Sequence, residues 1–188
     1  MEHIALFGTS ADPPTAGHAT ILRWLAHHYD HVAVWASDNP MKAGQTPLEH
    51  RMEMLGLVVQ DLQRDCSHVH LYPDLSQRRT LHTVERARQR WPGAQFDFVI
   101  GSDLLAQLPQ WYHVDELLQQ VRLRIMPRPG YPIDGEPLAV LQDLGADYAI
   151  ADCTPPAVSS SHYRQEGDRT AILPPVAAYI DRTQLYAS

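Results

Sequence analysis

HIALFGTSADPPTAGHATILRWLAHH, residues 3–28, is an apolar run, a loop and an amphipathic run in succession. The first run is apolar without a break after its opening histidine, as expected of a buried strand. From Ala16 onward, Leu22 and Leu25 recur at helical spacing. The loop between the two runs holds two glycines and two adjacent prolines, which are the residues of turns. The stretch therefore predicts a strand, a loop and a helix.

The same alternation continues along the chain. Short β-rich runs predict further strands at 31–36, 68–72, 96–100, 122–126 and 147–151. Helical periodicity appears at 47–62 and 80–91. Short apolar strands that alternate with helices are typical of βαβ units and of a parallel sheet covered on both sides. We therefore expect an α/β fold with a Rossmann-like, doubly wound, mainly parallel sheet, helices on both faces, and residues 1–188 as a single domain.

Composition narrows the class of protein. The chain has 188 residues, 44% of them hydrophobic and 20% charged, the balance of an ordinary globular protein. A formal net charge of −7 argues against a polyanion such as DNA as the partner. No run approaches the length that spans a bilayer, and the N-terminus carries no targeting pattern, so we expect a cytoplasmic protein without a membrane partner. Cys66 and Cys153 are far apart, which indicates reduced thiols and no cysteine metal site.

The loop at 8–18 has the composition of an anion site. Gly8 lets the backbone turn sharply and approach a ligand, and the free N–H groups of a helix start attract phosphate. His18, in the first helical turn, would face the same anion. The alternative is an ordinary turn with Thr15 as the N-cap and a histidine that faces solvent.

A second set of polar residues follows the predicted strand 96–100. Asp103, at the strand's carboxyl end, could accept hydrogen bonds from two ribose hydroxyls. Trp111 offers a flat aromatic face, and Arg128 suits a phosphate or a carboxylate. The alternatives are a helix N-cap for Asp103, core packing for Trp111 and a solvated surface charge for Arg128.

A third set lies in VSSSHYRQ, residues 158–165. Serine hydroxyls and free N–H groups at a helix start, with a guanidinium one turn further on, can hold a triphosphate. The alternative is a flexible linker or a simple N-cap. Arg164 stands three residues after Ser161, which favours the anion site.

In this order the motifs resemble the HxGH nucleotidyltransferases, whose first loop reads approximately GG[ST]FDPxHxGH with threonine for the first histidine in some relatives. The matching positions here are Gly8, Ser10, Asp12, Pro13, Thr15, Gly17 and His18. The order GSD, Trp-Tyr and RPG resembles the nicotinate or nicotinamide mononucleotide adenylyltransferases in particular, and 158–165 resembles their ISSTxIR signature. The tail 173–186 resembles their closing helix, so the likeness runs from residue 4 to 186. Thr9, Ala11 and Thr15 depart from the usual glycine, aromatic residue and histidine.

The resemblance implies that AMP passes from ATP to nicotinate mononucleotide by in-line attack on the α-phosphate, giving deamido-NAD and pyrophosphate. It implies Mg²⁺ carried by ATP, with few or no direct metal ligands from the protein. Thr80 and Thr83 resemble the family's T-x-x-T segment, with a helix N-cap as the alternative for Thr80. The implied catalytic residues are His18, Thr15 and Arg164. The implied ATP-binding residues are Gly8, Thr9, Ser10, Thr15, His18, Gly101, Asp103, Ser159, Ser160, Ser161 and Arg164. The implied mononucleotide-binding residues are Ser10, Lys42, Thr80, Trp111, Tyr112 and Arg128.

Other functions stay open at this stage. The main acceptor could be nicotinamide mononucleotide. A second class is another transferase on this scaffold, such as a pantetheine-phosphate adenylyltransferase or a glycerol-phosphate cytidylyltransferase, against which the flat face of Trp111 argues. A third is a nucleotide sensor without catalysis. The sequence also leaves open whether the protein forms a homo-oligomer.

Overall fold

The computed structural model describes residues 1–187, which contain six strands. These are β1 (His3–Thr9), β2 (His31–Ala36), β3 (Val69–Leu71), β4 (Gln95–Gly101), β5 (Arg122–Met126) and β6 (Tyr148–Ile150). They form one sheet in the order β3-β2-β1-β4-β5-β6, with each neighbouring pair parallel. This is the strand order of a doubly wound Rossmann-like sheet, so the predicted fold class is confirmed.

Helices cover both faces of the sheet. They are α1 (Ala16–His28), α2 (Leu48–Leu62), α3 (Thr80–Arg90), α4 (Val114–Leu118), α5 (Gly135–Asp143), α6 (Ser160–Glu166) and α7 (Pro174–Thr183). The apolar sides of α1, α2 and α7 pack on one face, and those of α3, α4 and α5 pack on the other. Along β1, Ala5 and Phe7 enter the first layer while Ile4 and Leu6 enter the second, as the strand period of two requires.

β1 and β4 separate at their carboxyl ends. The ladder between them ends where Leu6 pairs with Phe98. β1 nevertheless stays paired with β2 as far as Thr9, and β4 stays paired with β5 as far as Gly101. The ends of the two strands therefore border a gap in the sheet. The strand order also reverses here, and in open parallel sheets this is where ligands bind.

A buried ion network joins the strands lower in the sheet. Asp97 on β4 is 1% exposed and accepts hydrogen bonds from the Tyr29 hydroxyl at 2.5 Å and from Arg122 Nη2 at 2.9 Å. His3 Nε2 lies 2.9 Å from its other carboxylate oxygen. Burial opposes ionisation of Asp97, but the hydrogen bonds from Arg122, Tyr29 and His3 hold its pKa below the ordinary value. The network therefore requires a charged aspartate inside the fold.

Several helical segments were not predicted from the sequence, among them α4, α5 and a 3₁₀ helix after β4. The periodicity assigns no helix to 135–143, where α5 begins at a glycine with φ of 53° and fully buries Leu141. Ser102–Gln110 forms a 3₁₀ helix that contains Pro109. One buried side chain gives too weak an amphipathic pattern for prediction.

Cys66 and Cys153 are buried and free. Within residues 1–187, no helix combines the length and the apolar character needed to cross a membrane.

Candidate active site

The first loop places His18 at the start of α1 in one fixed orientation. Thr15, 1% exposed, is the N-cap residue, and its backbone N–H donates to His18 Nδ1 at 2.9 Å. His18 Nε2 lies 2.9 Å from Thr9 Oγ1 at the end of β1. Since Nδ1 accepts a hydrogen bond from a backbone amide, the proton of the neutral ring is on Nε2. The loop therefore presents an N–H donor beside the gap in the sheet.

The imidazole of His18 is uncharged at neutral pH. Burial lowers its pKa from 6.5 to about 4, and the positive charge of Arg128 acts in the same direction. The ring is only partly exposed and both of its nitrogens have protein partners in Thr9 and Thr15, so the alternative of a histidine that simply faces solvent is wrong. His18 can donate one hydrogen bond but carries no charge of its own near pH 7.

The expected sharp turn at Gly8 is wrong. Gly8 lies inside β1, and a Cβ there would lie 2.5 Å from Nε1 of Trp35 on β2. Glycine is therefore needed for close packing against a buried indole ring. The left-handed backbone occurs instead at Ala11, with φ of 49° and a fully buried side chain. The resemblance implies an aromatic residue at this position, and the small side chain of Ala11 fits the buried turn.

Residues of the third motif, 158–165, form hydrogen bonds with the first loop. Ser160 Oγ donates to the carbonyl oxygen of Pro13 at 2.7 Å. Arg164 Nη1 donates to the carbonyl oxygen of Asp12 at 2.7 Å, and its Nη2 donates to Ser161 Oγ at 3.2 Å. Ser159 is the N-cap of α6, so the N-cap alternative holds for this serine. The contacts fix the guanidinium of Arg164 beside the first loop, where it can meet the same ligand.

The second motif forms an ion pair at the end of β4. Arg128 Nη1 donates to Asp103 Oδ2 at 2.9 Å, and the backbone N–H of Arg128 donates to Ser102 Oγ at 2.8 Å. A Cβ on Gly101 would collide with the Asp103 carboxylate and lie 3.3 Å from Arg128 Cδ. The N-cap of this segment is Gly101, so the N-cap alternative for Asp103 is wrong. Arg128 is likewise paired rather than simply solvated.

The loop between β2 and α2, and the first turn of α2, supply two more basic groups. Lys42 Nζ donates to Ser10 Oγ at 2.9 Å. Burial of this ammonium end lowers the Lys42 pKa, while Asp103 opposes the shift. Arg51, 3% exposed, donates to the carbonyl oxygens of Thr46 at 2.7 Å and Ser10 at 3.0 Å. The helix pattern of α2 gave no sign of a buried arginine, and this residue was missed from the sequence.

The site carries an excess of positive charge although the chain is acidic overall. The basic side chains placed here by these contacts are Lys42, Arg51, Arg128 and Arg164. The carboxylates placed among them are Asp12, Asp38 and Asp103. Such a balance favours multiply charged anions, and phosphate groups match both the guanidinium fork and the helix start of α1.

The aromatic residues after β4 lie at the far end of the same edge. Trp111 is partly buried and packs edge-to-face on Phe98, with ring centroids 6.1 Å apart. Tyr112 is 40% exposed, and the Arg79 guanidinium lies 5.0 Å from its ring centroid. Arg79 is also the N-cap of α3, so the N-cap alternative for Thr80 is wrong. The structure describes no contact that joins these residues to the first loop.

A cavity elsewhere in the protein does not coincide with this site. It has a volume of about 510 Å³ and lies between α1 and α2, where Arg23, Trp24 and Asp61 contribute to its lining. His18, Asp103 and Arg164 are not part of that lining. The candidate site is instead the open gap at the carboxyl edge of the sheet.

Sequence comparison assigns the chain to a family. Residues 6–166 match the cytidylyltransferase-like family model. A Synechocystis protein described as "Probable nicotinate-nucleotide adenylyltransferase" is 50% identical, covering 97% of this chain and 98% of the relative. The chain belongs to the nicotinate-nucleotide adenylyltransferase family. A Bacillus cereus (strain G9842) relative with the same description is 31% identical over the full length of both chains.

Solved structures of this family share the fold. The nicotinic acid mononucleotide adenylyltransferase of Plasmodium falciparum complexed with NaAD matches with a TM-score of 0.83 and 20% identity, covering 99% of this chain and 98% of that one. The same Plasmodium enzyme complexed with APC gives a TM-score of 0.80, also at 20% identity and with the same coverage. The chain is thus a nucleotidyltransferase built on the family's fold.

Two residues of the first loop, Thr9 and Thr15, differ from the pattern that is usual in the family. Thr9 stands at a position where the family usually has glycine, and its hydroxyl contacts His18 Nε2. Thr15 stands where the family usually has histidine, and it caps α1. Both replacements keep hydrogen-bonding groups around His18 and add no positive charge, so the cationic groups of the site come from other loops.

Proposed function

We propose that this chain transfers AMP from ATP to nicotinate mononucleotide, giving deamido-NAD and pyrophosphate. The observation that carries the proposal is the convergence of an oriented His18, the Arg164 guanidinium and the Asp103–Arg128 pair around the gap between β1 and β4. The family membership and the names of the relatives support the same reaction.

In the proposed reaction, a 5′-phosphate oxygen of the mononucleotide attacks the α-phosphorus of ATP. The new phosphorus–oxygen bond forms as the bond to the β-phosphate oxygen breaks, and that oxygen leaves with pyrophosphate. Such transfers need alignment of the two phosphates and neutralisation of the charge that develops on their oxygens. No side chain has to form a covalent intermediate.

His18 has the role of a neutral donor toward the α-phosphate. The hydrogen bond from the Thr15 backbone N–H to Nδ1 holds the ring in place. When ATP binds, the Nε2–H would leave the Thr9 hydroxyl and donate to a non-bridging oxygen of the α-phosphate. A donor that is oriented before the reaction costs no reorganisation as charge develops. Thr15, by fixing Nδ1, sets the direction of this donor.

The remaining ATP contacts follow from the same loops. Arg164 is placed to bind the β- and γ-phosphates, helped by hydroxyls and N–H groups at the start of α6. Asp103 Oδ1, the oxygen not bonded to Arg128, is available to a ribose hydroxyl. The proposed ATP-binding set is Gly8, Thr9, Ser10, Thr15, His18, Gly101, Asp103, Ser159, Ser160, Ser161 and Arg164.

The acceptor would occupy the other end of the gap. Lys42 and Ser10, already hydrogen-bonded to each other, would bind the mononucleotide phosphate. Trp111 would stack on the pyridine ring, with Tyr112, Thr80 and Arg128 around its polar substituents.

Mg²⁺ enters this scheme as part of the ATP complex. Within residues 1–187, no group of three or more histidine, cysteine, aspartate or glutamate side chains could hold a metal ion. Asp12 and Asp103 are engaged by protein donors. Mg²⁺ commonly keeps several waters and binds substrate phosphates, and there it supplies positive charge to them.

We also propose that the whole chain is one nucleotidyltransferase domain, which the single six-stranded sheet supports.

Turnover with a panel of acceptors tests the proposal. Purified protein with MgATP and nicotinate mononucleotide should release deamido-NAD and pyrophosphate in equal amounts. The value of kcat/KM should be higher for nicotinate than for nicotinamide mononucleotide, and no product should form with phosphopantetheine or glycerol phosphate. ATP binding without any product would support the sensor and refute the proposed reaction.

A further inference from the structure

The tail after α7 folds back onto the first loop. Its backbone takes left-handed conformations at Gln184, with φ of 55°, and at Tyr186, with φ of 60°. Non-glycine residues rarely adopt this region, so tertiary contacts must hold the tail there. The Tyr186 hydroxyl donates to Asp12 Oδ1 at 2.5 Å, and its ring lies edge-to-face on Tyr163 of α6 at 5.9 Å.

Asp12 connects this tail to two other segments of the site. Its side chain is buried, and Oδ2 accepts the backbone N–H of Thr46 at 3.1 Å, in the loop that also carries Lys42. Its carbonyl oxygen accepts the bond from Arg164. The position of one residue therefore fixes both the proposed phosphate-binding guanidinium and the lysine loop.

The charge on Asp12 depends on these donors. Burial raises its pKa, but the hydrogen bonds from Tyr186 and from the lysine-loop amide, together with the charge of Arg164, hold the pKa below its ordinary value. Arg51 and Lys42 also face this carboxylate. Loss of the tyrosine hydroxyl would remove one of the donors to the carboxylate and raise the pKa of Asp12.

We propose that Tyr186 is a positioning residue for the nucleotidyl transfer, holding ionised Asp12 so that Arg164 and the loop of Lys42 meet the phosphates in register. This inference rests on the proposed function for its reaction. Tyr186 lies 174 residues from Asp12 in the chain. The tail thereby completes a site whose motifs all lie before it.

Tyr186→Phe removes the hydroxyl and keeps the ring. A hydrogen bond to a charged group contributes enough free energy that its loss should lower kcat about tenfold to a hundredfold. The KM for ATP should change less. The acid limb of the kcat profile should move to higher pH, because Asp12 gains a proton more easily. Tyr179→Phe is the matched control: its hydroxyl lies 2.8 Å from His50 Nδ1 on α2, and the variant should keep the kinetic profile of the intact protein.

Two further measurements separate this idea from a general loss of structure and from failure of the proposed reaction. In an Asp12→Asn background, Tyr186→Phe should cost far less than it does alone, since its effect passes through the carboxylate. ATP affinity, measured by calorimetry against pH without acceptor, should show the same acid shift even if no dinucleotide forms. An acid limb for Tyr186→Phe that coincides with that of the intact protein, in both turnover and ATP binding, would overturn the proposal.

Discussion

His18 should act as a neutral donor throughout the physiological pH range. With a pKa of about 4, about one molecule in a thousand carries a charged ring at pH 7. With the ordinary value of 6.5, about one in four would be charged. The amide of Thr15 on Nδ1 and the burial of the ring both oppose protonation. Acidification to about pH 5.5 should therefore leave the state of His18 unchanged.

Replacement of His18 measures how much its N–H donor contributes to kcat. His18→Ala should lower kcat by about 10²-fold to 10³-fold, the cost of losing one preorganised donor to a developing oxyanion. His27→Ala is the control, because His27 lies on the same helix, is exposed, and hydrogen-bonds to the Arg23 carbonyl oxygen through Nδ1. Thermal unfolding of both variants checks that α1 remains folded.

The assay combines steady-state kinetics with a histidine titration followed by NMR. The His18 resonance is identified by its absence from the His18→Ala spectrum. It should show no titration midpoint above about pH 5, and its chemical shift should report an Nε2-protonated neutral ring. A midpoint near the ordinary value of 6.5, or turnover by His18→Ala close to that of the intact protein, would refute this reasoning.

Other substitutions test the fold and the phosphate site. Gly8→Ala should lower the free energy of unfolding by about 1–3 kcal/mol, because the new methyl group meets the buried Trp35 ring; an unchanged denaturation midpoint would contradict that packing. Asp97→Asn should cost about 3 kcal/mol at pH 7, since its arginine partners lose a buried carboxylate. The pKa of Asp97 lies below its ordinary value, so its contribution is present above about pH 4 and is lost as the pH falls; denaturation curves of the variant should therefore lose part of the acid dependence. Arg164→Met should raise the KM for ATP about tenfold or more, whereas Arg169→Met, which breaks a surface pair, should leave it unchanged; equal effects would argue against a phosphate contact.

Local patterns were enough for most of the fold. The runs 31–36 and 122–126 have the strand bounds that the structure gives, because buried parallel strands are short, apolar and bounded by polar loops. The loop at 8–18 could be placed between a strand and a helix by its glycine and proline content. α5 was missed because its sequence begins with Gly-Glu-Pro and buries little.

The contacts that build the site depend on tertiary packing. Thr9 was expected at an ATP site, but its contact with His18 requires the strand end and the first helical turn to meet. Arg51 lies on α2 and Tyr186 lies in the tail after α7, and nothing in the local sequence around either residue indicates contact with the first loop. Gly8 was read as a turn residue because the Trp35 ring that it accommodates lies on another strand. Residue types thus suggested candidate residues for the site, whereas the contacts that join them depend on the fold.

A crystal structure of the protein with deamido-NAD bound tests the central claim most directly. The dinucleotide should lie across the carboxyl ends of β1 and β4, with His18 Nε2 within hydrogen-bond distance of the adenylyl phosphate and Asp103 at a ribose. Binding of the dinucleotide at another surface would contradict the account. So would a bound dinucleotide that contacts none of His18, Asp103 and Arg164.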